Sequence, residues 1–494
     1  MSTEIQAYEK ESQLYIGGGS AGVGLITGRL EDWDPGSGSI VSWHGSPASR
    51  EKARQAPVSD VPIGYMQAGH LRGYVEFEEN GFDYSRVVMG SWDVPGRCDI
   101  RTMSYVINAH LRRHETYRSW FEYIDHQNIV RHTITNPRDI EFVPTKHGVL
   151  TPAEWHKLLM STPDPLQWDC FSFGIIQYEE HFAFYVIVDH IHTDPALITG
   201  LYAEIVAMYR ALVAGGAPLP LPPTGSHDEF CVRERQYTAE LTVDSPQVKK
   251  WIEFAEKNGG TLPDFPLPLG DQSIPCGGDL VIEQFMNPEQ TEQFEARCAE
   301  AGIRFSGGLF GCAALAHYEL TGADTYYGLT PIDKRRTPAE YMTMGWFTGI
   351  VPITVPIDPS SFEETARATQ ASFDENAELA NVPFDHVLEL APWLRRYGPE
   401  YTMMNYMDAG LPPLSAVVAS ALKGANATAY IDGRTPAFLY SSFIRLFDEL
   451  SLMVTFPNNP IARESVLRYV EVLKSVFVRV AEGYDMVEPL RNVV

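Results

Sequence analysis

The alternation of hydrophobic and polar positions changes character around residue 190. Phe182 to Val188 is an unbroken apolar run, rich in aromatic and β-branched residues. Such a run predicts a strand buried on both faces. Beyond Pro195, residues Ile198, Leu201, Tyr202, Ile205, Met208, Tyr209 and Leu212 recur at helical spacing, and Gly215-Gly216 closes the segment. Proline suits a first helical position, because its φ is fixed and its missing N–H is not needed there. Between strand and helix stands Asp189-His190-Ile191-His192-Thr193-Asp194. A tight turn at the end of a buried strand is where a scaffold exposes reactive groups.

The same reading organises the rest of the chain. Residues 1–24 predict a flexible arm. Within it Gly17, Gly19 and Gly22 fit G-x-G-x-x-G, and Gly18, Ser20 and Gly22 fit G-x-S-x-G. Both motifs need a helix directly afterwards, and the residues that follow have no helical period. Leu30 to Pro62 reads as turn-rich. Arg86 to Trp92 predicts a strand, and a helix runs through Met103 to Leu111. Residues 217–278 form a proline-rich bridge with a charged helix at Ser245–Asn258. The second half predicts strands at Leu280–Phe285, Tyr326–Thr330, Ile350–Pro356 and from Tyr401. Its helices are one capped by Ser306, whose glycines permit close packing, one from Ser361 to Leu379, and a last one from Ile461 to Glu482. Strands alternate with helices in both halves, which predicts an α/β layered architecture. The division drawn is an arm (1–24), an N-terminal lobe (25–216), a bridge (217–278) and a C-terminal lobe (279–494).

Composition narrows the chemistry. A chain of 494 residues exceeds one ordinary core. Lysine plus arginine number 38 against 64 acids, a net charge of −26, which argues against nucleic acid or an anionic membrane as the main partner. An anionic substrate then needs a local basic patch, and Lys334-Arg335-Arg336 is the strongest. The polar start of the chain predicts no signal peptide, and no apolar run approaches the ~18 residues of a spanning helix. Six cysteines without a C-x-x-C pair predict buried thiols in a reducing cytoplasm.

The turn admits three readings. In the first, Asp194 caps the following helix and His190 is a packed core histidine. In the second, His190, His192 and Asp194 hold zinc for a hydrolase, since residues two apart share one face of an extended segment. The known H-x-H-x-D version carries a histidine after the aspartate, where this chain has Pro195. In the third, a neutral imidazole takes a proton from an attacking alcohol or amine and returns it to a leaving thiolate. Separately, His110 and His114 share a helical face, a zinc-binding spacing that lacks a third ligand in sequence.

The company of H-x-x-x-D favours the third reading. INAHLRRHETYRSWFE (107–122), PLQWDCFSFGIIQYEEHFAFYVIVDHIHTD (165–194), RFSGGLFGCAALAHYELTG (304–322), DKRRTP (333–338), GWFTGIVPITVP (345–356), VPFDHVLEL (382–390) and NYMDA (405–409) stand in the order found in the condensation-domain acyltransferase superfamily. GSIVSWHGSP (38–47), ARQAPVSDVP (53–62), WDVPGRCDIR (92–101) and LPDFPLPLGD (262–271) resemble the mycobacterial polyketide-associated acyltransferases that acylate trehalose. The resemblance covers nearly all of the chain beyond about residue 25.

It implies two chloramphenicol-acetyltransferase-like lobes, mixed sheets flanked by helices, with a tunnel between them. His190 matches the general base and Asp194 a structural aspartate. Arg335 matches the ion-pair partner of that aspartate, with Arg336 as second choice. Trp346 and Thr348 match the acceptor-side lining, and the Trp346 N–H and the Thr348 hydroxyl are candidate oxyanion donors. Asp189 and Pro195 stand where many relatives carry His and Gly. The implied reaction moves a long-chain fatty acyl group from coenzyme A to a hydroxyl of trehalose or a trehalose glycolipid. It needs no cofactor, no metal and no acyl-enzyme. Implied partners are the acyl-CoA co-substrate, trehalose or acylated trehalose, and a polyketide synthase or lipid exporter. The expected state is a cytoplasmic monomer, peripheral at the inner membrane face. The alternatives are the zinc hydrolase and a carrier-protein-dependent condensation enzyme forming amides or esters.

Overall fold

The computed structural model describes residues 13–17, 24–194, 200–274, 276–398, 400–409, 425–436 and 438–484. Pro195 to Thr199, where the helix after the turn was expected to open, lies outside them. The apolar run forms the strand His181–Asp189, buried from its second residue onward. It pairs antiparallel with Val87–Pro95 on one side and with Phe171–Gln177 on the other. A strand with neighbours on both edges and side chains packed on both faces has no polar positions, which accounts for its sequence.

It lies inside an eight-stranded mixed sheet. In spatial order the strands are Gln13–Gly17, Gly24–Arg29, Ala427–Ile431, Val87–Pro95, His181–Asp189, Phe171–Gln177, Ser39–Gly45 and Phe142–Val149. Two of these strands pair across the sequence-based divisions. Gln13–Gly17, from the N-terminal arm, pairs with Gly24–Arg29. Ala427–Ile431, from the C-terminal half, inserts between Gly24–Arg29 and Val87–Pro95. One face of the sheet packs on Met103, Val106, Ile107 and Leu111 of the helix Ile100–Arg113. The other packs on Trp155 and Leu159.

A second sheet has the order Gly278–Met286, Glu449–Pro457, Leu439–Leu446, Thr402–Asp408. Its core joins the terminal helix Pro460–Glu482 to the helix Phe305–Thr321. The expected close packing is present. A Cβ on Gly311 would lie 3.0 Å from Ala366 of the helix Phe362–Asn376, so glycine lets the two backbones meet. The cap of Phe305–Thr321 is Arg304, two residues before the serine expected there. A ribbon of Thr325–Asp333 and Thr348–Pro356 completes the strands that bear on the site.

Leu30–Pro62 is less irregular than its glycines and prolines suggest. It contains the strand Ser39–Gly45 and the helix Pro47–Arg54, capped by the Ser46 side chain. The bridge holds a second helix, His227–Ala239, beside Pro246–Lys257. Among the described residues no helix is long and apolar enough to cross a membrane.

Candidate active site

Residues of both halves line one cavity of about 1300 Å³. His190 and Asp194 reach it from the turn, Thr348 from the ribbon and Trp346 from the loop before it, and Tyr65, Met66 and His70 from the helix Tyr65–Glu79. Much of the wall is aromatic or aliphatic, including Trp251, Leu262, Tyr401, Met403, Phe438 and Tyr440. A cavity of this size and lining suits a ligand with a large apolar part.

His190 ends the central strand and begins one 3₁₀ turn, His190–His192, which the Asp189 side chain caps at the Ile191 N–H. The His190 backbone N–H donates to the Arg86 carbonyl at 2.8 Å, fixing the base of the side chain. Its ring lies 4.2 Å from the Trp346 ring, centroid to centroid. Nδ1 is buried and has no partner among the described residues, which leaves Nε2 as the nitrogen open to the cavity. Burial, reinforced by His70, lowers the His190 pKa to about 4. At neutral pH the ring is therefore uncharged, and in the tautomer with its proton on Nδ1 the Nε2 presents a lone pair.

Asp194 sits at the far end of the turn and faces away from that lone pair. Its Oδ2 accepts from Arg335 Nη1 at 2.8 Å and its Oδ1 from Arg335 Nη2 at 3.1 Å. Oδ2 also accepts from the Phe347 N–H at 2.9 Å. Arg335 carries the pair further, donating to the carbonyls of Glu340 and Thr343. The Phe347 ring lies under its guanidinium at 4.3 Å. A bidentate pair with every other donor satisfied is the geometry in which a buried ion pair holds position well.

Thr343 to Phe347 is anchored from several sides, which explains how Trp346 comes to rest on His190. His114 Nδ1 accepts from the Met344 N–H at 3.2 Å, and His227 Nε2 accepts from the Trp346 N–H at 3.3 Å. Gly345 adopts φ +146°, and a Cβ there would lie 2.3 Å from the His227 ring. Burial depresses both histidines, His114 to about 4 and His227 to about 3, so both remain neutral acceptors. Since His227 engages the Trp346 backbone N–H, that group is not free to serve as an oxyanion donor. Thr348 lies on the cavity wall. Arg336 lies outside the cavity. It is exposed and lines a separate small pocket with Arg233, Lys334 and Asn381.

The zinc set proposed from spacing is not assembled. His192 is buried in the opposite direction, with Nδ1 bonded to Thr116 Oγ1 at 3.0 Å and its ring against Phe171. Both Asp194 oxygens are taken by Arg335. His110 and His114 do acquire the third group missing in sequence, Glu204. Their hydrogen bonds specify another role. Because His114 Nδ1 accepts from Met344, its proton sits on Nε2, which donates to Glu204 Oε2 at 2.9 Å. His110 Nδ1 is 2.8 Å from the same oxygen, and Arg113 Nε donates to Oε1. Glu204 is thus a carboxylate clamp, held below the usual carboxylate range by these donors against the cost of burial. It lies in a π-helical turn, Tyr202–Val206, inside the predicted helix.

Four residues of this site were not singled out from sequence: His70, Arg86, Glu204 and His227. His70 and His227 stand in ordinary helices, Arg86 directly before a strand and Glu204 in the π-helical turn, and no local motif marks any of them.

The geometry accords with known proteins. The model of the condensation-domain family matches residues 62–406. Acyltransferase PapA3 of Mycobacterium tuberculosis is 53% identical over 459 residues, spanning 93% of this chain and 97% of that protein. The 2'-acyl-2-O-sulfo-trehalose (hydroxy)phthioceranyltransferase PapA1 of Mycobacterium tuberculosis is 51% identical over 465 residues, 94% and 90% respectively. The solved PapA2 acyl transferase superposes with a TM-score of 0.89 at 50% identity, over 92% of this chain and 100% of that one. The first condensation domain of the CDA synthetase shares the fold, at a TM-score of 0.64 and 16% identity over 85% of this chain and 96% of that one. The chain belongs to the condensation-domain family, in its branch of mycobacterial polyketide-associated acyltransferases.

Proposed function

We propose that this protein transfers a long-chain fatty acyl group from coenzyme A to a hydroxyl of trehalose or of a trehalose glycolipid, with His190 as general base. The observation that carries the reading is a neutral histidine whose Nε2 opens into a large, mostly apolar cavity, on a turn held by the Asp194–Arg335 pair. Nε2 takes the proton of the attacking hydroxyl as its oxygen bonds to the thioester carbon. The tetrahedral oxyanion receives a hydrogen bond from Thr348 Oγ1. The C–S bond then breaks, and the imidazolium returns its proton to the departing thiolate. Transfer is direct. Cys170, the cysteine next to the turn, is fully buried, its thiol pKa is raised by that burial, and it is absent from the cavity wall. The relatives named for sulfated trehalose support a sugar acceptor here.

The test is release of free thiol from palmitoyl-CoA, with and without trehalose or trehalose 2-sulfate, with the product identified by mass spectrometry. The expected result is acceptor-dependent thiol release matched by ester formation. Thiol release that no sugar stimulates would overturn the acceptor assignment.

A further inference from the structure

Acyl transfer by His190 leaves the other end of the turn without a task. Asp189 is 0% exposed, and its oxygens serve different partners. Oδ2 accepts from Arg86 Nη1 at 2.9 Å, while Oδ1 lies 2.8 Å from His70 Nε2 and accepts from the Ile191 N–H at 3.1 Å. Arg86 is fixed in turn by the carbonyls of Thr162 and Pro163. Burial opposes the charge on Asp189, but His70, Arg86 and the Ile191 N–H outweigh it and hold the carboxyl at about 2.

An ionised carboxylate accepts and does not donate. The proton between it and His70 therefore sits on His70 Nε2, and in that tautomer Nδ1 is the acceptor of the ring. No protein hydrogen bond engages Nδ1 among the described residues, and His70 lines the cavity. The ring stands 6.2 Å from that of His190 and 5.7 Å from that of Trp346. An acceptor on a cavity wall, with its tautomer set from behind by a buried carboxylate, is held ready for a donor on a ligand. A packing role explains Nε2 and leaves Nδ1 unused.

We propose that His70 Nδ1 is a hydroxyl-binding site for the acceptor, receiving a hydrogen bond from a second hydroxyl beside the one that His190 deprotonates. Two acceptor nitrogens on neighbouring rings suit a polyol, which offers adjacent O–H groups, and give no advantage to a monohydric alcohol. Asp189 and Arg86 act through His70 as positioning residues. The identity of the polyol rests on the acyl-transfer reading above; the subsite itself rests on the hydrogen-bond geometry.

Calorimetric titration of trehalose into the full-length chain tests the subsite without turnover. His70→Gln keeps a donor toward Asp189 but has no acceptor at the Nδ1 position. His70→Asn places an oxygen near that position and gives up the Asp189 bond. The expected result is trehalose binding by the wild type, a Kd about tenfold weaker in His70→Gln, and recovery of most of that loss in His70→Asn. Among the monodeoxy-trehaloses, one should bind the wild type about tenfold more weakly and lose nothing further in His70→Gln. In thiol-release assays the KM for trehalose should rise about tenfold in His70→Gln, with the KM for palmitoyl-CoA within twofold. No trehalose binding by the wild type, or a Kd within twofold of wild type in His70→Gln, overturns the proposal. Failure of the transfer reading looks different: His70-dependent trehalose binding without trehalose-dependent thiol release keeps the subsite and removes the reaction.

Discussion

Two aspartates bracket His190, and both are buried against an arginine, yet they tie the turn to different parts of the molecule. Asp189 bonds to Arg86 and His70, all within the N-terminal half. Asp194 bonds to Arg335, 141 residues further along the chain. The first pair fixes the turn within its own sheet and sets a histidine on the cavity wall. The second fastens the turn to the segment that carries Trp346 and Thr348, so it controls how the two sides of the cavity face each other. The environments differ as well. Asp189 has a titratable partner that can share a proton, whereas Asp194 depends on a guanidinium, which does not titrate in the accessible range. Alike in composition, the pairs differ in what their loss would expose.

Removing each arginine should break this comparison open. Arg335→Met removes both guanidinium bonds from the buried Asp194 and frees the carbonyls of Glu340 and Thr343. Losing one member of a buried pair costs about 3–5 kcal/mol. Arg86→Met leaves Asp189 with His70 and the Ile191 N–H, so the loss is that of charge-assisted hydrogen bonds, roughly 2 kcal/mol. Urea unfolding of both variants checks the order. Equal losses, or a larger loss for Arg86→Met, would show that the interlobe pair is not the stronger tie. Activity should follow the same order, because only Arg335→Met frees Trp346 and Thr348 from the turn.

A more distributed effect comes from pH. Burial is the leading cause that lowers His114, His190 and His192 to about 4 and His227 to about 3. In the unfolded chain they titrate near ~6.5. Between about pH 6.5 and 4 the unfolded state therefore binds protons that the native state refuses, and stability falls as pH drops through that window. Asp189 and Glu204 are depressed in the folded state, so their contribution is present above the ordinary carboxylate range and is lost only at lower pH. The melting temperature should be level above pH 7 and fall progressively from pH 6.5 to 4.5. A flat profile over that range would contradict the neutral, buried state of these rings.

How much of this was legible in the sequence follows from the range of each interaction. The central strand announced itself because burial on both faces removes every polar residue from Phe182 to Val188. His190, Asp194 and Arg335 were legible because they fall on family motifs, although Asp189 and Pro195 beside them depart from the pattern. His70 was not, since it lies in the helix Tyr65–Glu79 among mixed polar and apolar residues, and its meaning comes from Asp189, 119 positions away. Glu204 likewise acquires its role only when the π-turn brings it to His110 and His114. Ala427–Ile431 entering the N-terminal sheet was illegible for the same reason, as a five-residue strand carries no sign of which sheet it will join.

The claim on which the rest depends is that Nε2 of His190 moves the proton. The direct measurement is kcat for acceptor-dependent thiol release in His190→Ala beside wild type, with melting temperatures compared to establish that both are folded. Loss of general-base catalysis predicts a fall of about 10²–10⁴-fold at an unchanged melting temperature. A folded His190→Ala variant retaining activity within tenfold of wild type would contradict the account.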